Sequence, residues 1–128
     1  MHARSNPVYQ LARSFFRSDA VRDLVSMQAV RSKKTTWRTP SSDPAREREL
    51  NWRLDPELST GLAGEWGTHQ FEVFHWYLDR FPVSVTGHGG VRLHKDGRTI
   101  ADTISCALDF EDGARLDYNA TLANSYGG

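Results

Sequence analysis

The longest stretch of helical periodicity covers residues 62–80. Phe71, Phe74, Leu78 and Phe81 recur at i, i+3, i+7 and i+10, which makes one apolar stripe on a helix. Glu65, His69, Glu72, Trp76 and Asp79 recur at steps of four and three on a second face, stacking a carboxylate, an imidazole and another carboxylate on adjacent turns. A shorter helix is predicted near the start of the chain, with Asn6 as its cap and Pro7 at the first helical position. Val8, Leu11, Ala12 and Phe15 share its apolar face, and Arg13 and Arg17 share another. A lone amphipathic helix needs a second surface to bury such a stripe.

Elsewhere the period is two. Val25, Met27 and Ala29 alternate with Ser26, Gln28 and Val30, which predicts a strand over 24–32. Val83 and Val85 alternate with Ser84 and Thr86, and Val91 and Leu93 resume after Gly87-His88-Gly89-Gly90. Ile104, Cys106, Leu108 and Phe110 alternate with Thr103, Ser105, Ala107 and Asp109. Leu116, Tyr118, Ala120 and Leu122 follow in the same way. Asp96-Gly97 and Asp112-Gly113 are two-residue hairpin signals. The pattern predicts an α+β fold: a twisted, mainly antiparallel sheet with one buried face, covered by the helix at 62–80. Residues 33–49 contain Pro40, Pro44 and a charged run, and predict a long loop with at most one helical turn. Such a loop serves as a lid or an oligomer contact, or is a disordered excursion. Lys33-Lys34 and the run Arg46 to Glu49 are read as solvated charge and carry no assigned chemistry.

Composition narrows the function classes. A chain of 128 residues suffices for one domain with a modest core. Its 16 basic and 16 acidic residues cancel, so no basic field favours nucleic acid. A single cysteine, Cys106, excludes an internal disulfide. No apolar run approaches the ~20 residues that span a bilayer, and Met1-His2-Ala3-Arg4 leads into polar chain rather than a signal peptide. The expected compartment is the cytoplasm, with the periplasm as the alternative.

Candidate chemistry gathers on the long helix. A carboxylate one turn from a histidine orients the ring and raises its basicity, which suits a proton shuttle; the plainer alternative is a solvated Glu and His. Arg53 beside Trp52 suits a clamp for a polar ligand, or it pairs with Asp55 or Glu57 and fixes the turn, the role favoured here. Gly61, Gly64 and Gly67 bare the backbone around the helix start, for the turn itself or for the approach of a flat ring or sugar. Gly67, inside a helix, costs ~1 kcal/mol and calls for a steric reason. His69, Glu72, His75, His88 and His94 form no compact ligand pattern, so no metal is expected. Gly87-His88-Gly89-Gly90 is not a phosphate loop, because no helix follows it.

The run from Asn51-Trp52-Arg53 through Ser59-Thr60-Gly61 into Gly64-Glu65-Trp66-Gly67-Thr68-His69-Gln70-Phe71-Glu72 resembles the C-terminal domain of the Gfo/Idh/MocA oxidoreductases. This is the family of glucose–fructose oxidoreductase and inositol dehydrogenase. Its pattern here is Trp-Arg, a Gly-rich turn, Asp-x-Gly-x-His-x-x-Asp and an aromatic-rich helix. Glu65 and Glu72 stand where Asp is usual, keeping the charge on a side chain one methylene longer. The resemblance implies the family's dihydrodipicolinate reductase-like C-terminal fold. Residues 1–22 would be the tail end of a truncated nucleotide-binding domain, carrying its last helix. Residues 23–128 would be an incomplete substrate and oligomerisation domain, with the end at Ser125-Tyr126-Gly127-Gly128 short of the family's later elements. The family's Glu-Lys-Pro motif would lie upstream of Met1.

The implied activity is NAD(P)-dependent hydride transfer from a sugar or cyclitol hydroxyl, with NAD or NADP held outside this chain. In that scheme His69 accepts the proton and Glu65 orients it, while Glu72, Arg53 and Trp52 contact substrate. The chain alone would be inactive. Some relatives recycle the cofactor and cleave a glycosidic bond, and a non-catalytic structural or oligomerisation module of the same fold is the other alternative. The expected partners are a small polyol or sugar and a further copy of the chain, with no nucleic acid and no membrane. That copy would pair through the weakly polar sheet face of Thr103, Ser105, Ala107, Asn119, Thr121 and Ala123.

Overall fold

A computed structural model describes residues 2–124. The chain's end at 125–128 lies outside the described residues. Two short helices come first, α1 (His2–Ser5) and α2 (Pro7–Arg17), then strand β1 (Ser26–Ser32) and helix α3 (Pro44–Leu50). A 3-10 turn at Trp52–Leu54 and a π turn at Ala63–Gly67 lead into α4 (Thr68–Leu78). Strands β2 (Ser84–Gly90), β3 (Thr103–Asp109) and β4 (Arg115–Thr121) close the fold.

The sheet has the order β1-β4-β3-β2. The β2–β3 and β3–β4 pairs are antiparallel, whereas β1 lies parallel to β4. The α+β architecture and its mainly antiparallel sheet are as expected, but the sheet is mixed. The reason is connectivity: β1 leaves by a long crossover that carries α4, and only such a connection lets strands of one sheet run parallel. Asp112-Gly113 makes the predicted hairpin, but through a three-residue loop, 111–113, rather than a two-residue turn, with Gly113 at φ +84° and Asp112 Oδ1 accepting from the Ala114 amide at 3.2 Å. Asp96-Gly97 turns the chain but joins no strands, because Val91 and Leu93 are not in one. Asp102, fully buried, captures the amides of Arg92, Leu93 and His94 at 2.8 Å each, so that backbone is spoken for before a ladder can form.

The core lies between one sheet face and the long helix. Met27, Ala29, Leu108, Leu116, Tyr118, Ala120 and Leu122 supply its sheet side, and Phe71, Phe74 and Leu78 pack on it from α4. Phe81 leaves the predicted stripe. The helix ends at Asp79, which takes a left-handed φ of +56°, and Phe81 is 75% exposed, stacked on His75 at 4.2 Å between centroids. The β2 edge of the same face stays open, with Val83 and Val85 exposed.

Helix α2 starts as predicted, the Asn6 side chain accepting from the Val8 amide at 2.9 Å with Pro7 next. It docks on α4 through its polar face. Arg13 Nε donates to Trp76 O at 2.9 Å and the Tyr77 hydroxyl to Tyr9 O at 2.6 Å. Val8, Leu11 and Phe15 are thereby left exposed. The loop after β1 is ordered by cross-links. Asn51 bridges to Thr39 through both its amide oxygen and nitrogen, and Arg38 binds Glu47 and Asp96. Asp96 is also gripped by buried Arg98; these two arginines hold its carboxyl below the usual carboxylate range against a partial loss of solvent.

Candidate active site

The π turn shapes the site. It widens the helix over Ala63–Gly67, immediately before His69, and single π turns inside helices recur at functional sites. Three packing contacts explain its position. Trp66 is held edge-on by Trp37 at 5.4 Å, the Tyr118 hydroxyl donates to Leu62 O at 3.2 Å, and Thr68 Oγ1 donates to Gly64 O at 2.5 Å. Gly67 has the steric reason that its position demands. A Cβ there would stand 2.6 Å from Cε2 of Phe71 and 3.3 Å from Cε1 of Tyr118. Gly64 would clash with Thr60, and Gly61 sits at φ +61°. These glycines therefore serve the chain's own packing rather than a ligand's approach.

Beside this turn lies a cavity of about 470 Å³, whose lining includes Arg53, Glu65, His69 and Glu72. That is within the range of small-molecule sites. Four of the residues singled out from the sequence thus share one space. His69 is exposed and has no hydrogen-bond partner among the described residues. Glu65 does not reach its ring: Oε2 accepts from Arg53 Nε at 3.2 Å. Arg53 in turn lies over Trp52 at 4.5 Å, so Trp52 supports the arginine from outside the cavity lining. Asp55 and Glu57, the other candidate partners of Arg53, are taken by Arg48.

Glu72 is buried, with one carboxylate oxygen bonded by Arg4 from α1 and the other, Oε2, without a partner among the described residues. A buried carboxylate oxygen without a donor is costly and calls for one. The other three histidines of the candidate ligand set are dispersed. His75 stacks on Phe81, His88 lies on β2, and His94 Nε2 is 3.5 Å from Leu122 O. Among the described residues no group of three His, Cys, Asp or Glu side chains could hold a metal ion. Nor is any described helix long and apolar enough to cross a membrane. Burial pushes the Cys106 thiol up, away from a reactive thiolate.

The cavity also recruits residues the helical pattern could not suggest, above all Arg31 from β1 and His2 and Tyr9 from the first two helices. Arg31 did leave a signal: it continues the alternation of Met27 and Ala29, an arginine at a position of core parity.

Comparison with known proteins bears on this arrangement. A sequence model of the GFO/IDH/MocA C-terminal domain matches residues 9–128. No curated protein matches significantly. Among solved structures, an aldose-aldose oxidoreductase from Caulobacter crescentus, complexed with glycerol, superposes with a TM-score of 0.72 at 18% identity, over 94% of this chain and 33% of its own. An NAD binding oxidoreductase from Klebsiella pneumoniae gives 0.73 at 18% identity, over 98% and 33%. GenD2 from gentamicin A biosynthesis, in complex with NAD, gives 0.69 at 18%, over 94% and 32%. The likeness is one of fold, and the chain spans about a third of each of these structures.

Proposed function

We propose, on the premise that this chain belongs to the GFO/IDH/MocA family as a C-terminal domain, that it forms the substrate side of an NAD(P)-dependent oxidoreductase acting on a sugar or cyclitol hydroxyl. The observation that carries this reading is His69, open and unpartnered in a cavity flanked by two carboxylates that arginines hold in place. No described segment offers a glycine-rich strand–turn–helix to a pyrophosphate, so the dinucleotide would be held outside this chain. Bound there, a nicotinamide supplies the hydride acceptor. His69 takes the hydroxyl proton as the carbinol carbon becomes a carbonyl. Glu65, one turn away, is held by Arg53 without touching the ring, so its part is to fix that arginine in the cavity wall. Glu72 accepts a neighbouring substrate hydroxyl once Oε2 turns into the cavity that the residue lines.

Residues 1–22 fit the end of a nucleotide-binding domain, since the exposed stripe of Val8, Leu11 and Phe15 would cover that domain's surface. A second reading, an oligomerisation module, is supported by the half-exposed, weakly polar sheet face of Thr103, Ser105, Asn119 and Thr121, on which Ala107 is buried; both roles can coexist in one protein. The test is His69→Ala in an intact protein joining this chain to a dinucleotide-binding domain. Turnover should fall by roughly 100-fold or more, with circular dichroism unchanged. Unaltered turnover on a broad polyol panel would remove His69 from the mechanism.

A further inference from the structure

The cavity's charges do not balance. Glu65 is neutralised by Arg53 and Glu72 by Arg4. Arg31 faces the same cavity and has no ion pair among the described residues. Its position follows from strand register. Arg31 aligns with Ala120 across the parallel pair, which places it on the face that Met27 and Ala29 present to the core. There its guanidinium lies over Trp66, 5.6 Å from the ring centroid, and Trp66 is itself held edge-on by Trp37. Stacking on an aromatic face fixes the plane of a guanidinium while leaving its N–H edge free. That edge is a fork matched to a carboxylate, carried on a strand that lines the same cavity as His69.

We infer that the substrate carries a carboxylate beside the hydroxyl that His69 deprotonates, and that Arg31 anchors it. The substrate class is then a sugar acid, an aldonate or uronate, rather than a neutral sugar or cyclitol. This rests on the oxidoreductase reading of the cavity above. Arg31 is exposed, so water meets its charge in the free protein, and a carboxylate replaces that water with a paired contact that a neutral sugar cannot make.

The experiment is steady-state kinetics on the intact protein with paired substrates, D-glucose against D-gluconate and D-galactose against D-galacturonate, each with NAD and NADP. The acid of each pair should show at least tenfold higher kcat/KM. Arg31→Ala should raise the KM for the acid about 30- to 100-fold, the worth of a bidentate charge-assisted contact, and leave the neutral partner and the cofactor KM within twofold. Arg31→Lys, which keeps the charge and loses the fork, should fall between. Neutral sugars preferred by the wild type would overturn the inference, as would equal losses for acid and neutral sugar or an effect confined to the cofactor. Preference for a sugar phosphate would overturn the carboxylate assignment. Absence of turnover on every substrate would count against the oxidoreductase reading instead. Calorimetric titration with D-gluconate then decides the anchor: binding lost in Arg31→Ala upholds it, and no binding to the wild type refutes it.

Discussion

Gly67→Ala sets two effects of opposite sign against each other. Gly67 has ordinary helical angles, φ −61° and ψ −34°, so backbone strain plays no part. On helix propensity alone, alanine should stabilise by ~1 kcal/mol. Against this, the new methyl would sit 2.6 Å from Cε2 and 3.0 Å from Cζ of Phe71, and 3.3 Å from Cε1 of Tyr118. These are ring atoms in the core. Phe71 meets Tyr118 edge to face at 4.9 Å, and Tyr118 is fully buried with its hydroxyl bonded to Leu62 O. Phe71 must give, and it can do so only by tilting off Tyr118. Overpacking of this kind costs ~1–3 kcal/mol, so the net expectation is a loss of about 1–2 kcal/mol. In urea, followed by tryptophan emission, the midpoint should fall by roughly 0.5–1 M. Phe71→Leu shortens the obstructing ring, and in the double variant it should recover part of the loss. A midpoint that rises in Gly67→Ala alone would show that the ring has room, and would refute steric need as the reason for glycine two residues before His69.

Two further outcomes are expected. Burial opposes ionisation of Asp102, but three backbone amides and the Thr103 hydroxyl outweigh it and depress its carboxyl. A depressed acid stabilises the fold above its unfolded pKa of about 3.9, and that stability is lost as pH falls through the folded value. Asp102→Asn should therefore cost about 2–3 kcal/mol at pH 7 and flatten the decline in urea midpoint below about pH 4; an unchanged acid limb would refute this. The intact protein should self-associate through the sheet face that carries Ser105 and Asn119, and Ser105→Glu should weaken it. A strict monomer by light scattering at high concentration would sink that expectation.

How much of this could be read in advance follows from the range of the interactions involved. Asn6 with Pro7, the turn at Asp112-Gly113 and the alternation of Leu116, Tyr118, Ala120 and Leu122 each depend on neighbours within a few positions, and all stand where the pattern predicts. The π turn escaped because steps of four and three fit an α-helix equally well; what widens the turn is Tyr118, Trp37 and Thr68, two of them well outside the helix. Val91 and Leu93 alternated like a strand, but Asp102 claimed the amides of Arg92, Leu93 and His94 from eight to ten residues away. The parallel pairing of β1 was invisible for the same reason.

The site divides along the same line. Glu65, His69 and Glu72 ride on one helical stretch, so their convergence was legible from spacing alone. The groups that set the charge around them were not. Arg4 reaches Glu72 across 68 positions, and Arg31 arrives on the far edge of the sheet. The helix by itself suggests an acidic pocket around an imidazole. With the arginines counted, both carboxylates are neutralised and, among the described residues, one cation is left over. The long-range contacts thus reverse the sign of the site, and with it the kind of substrate that the site should prefer.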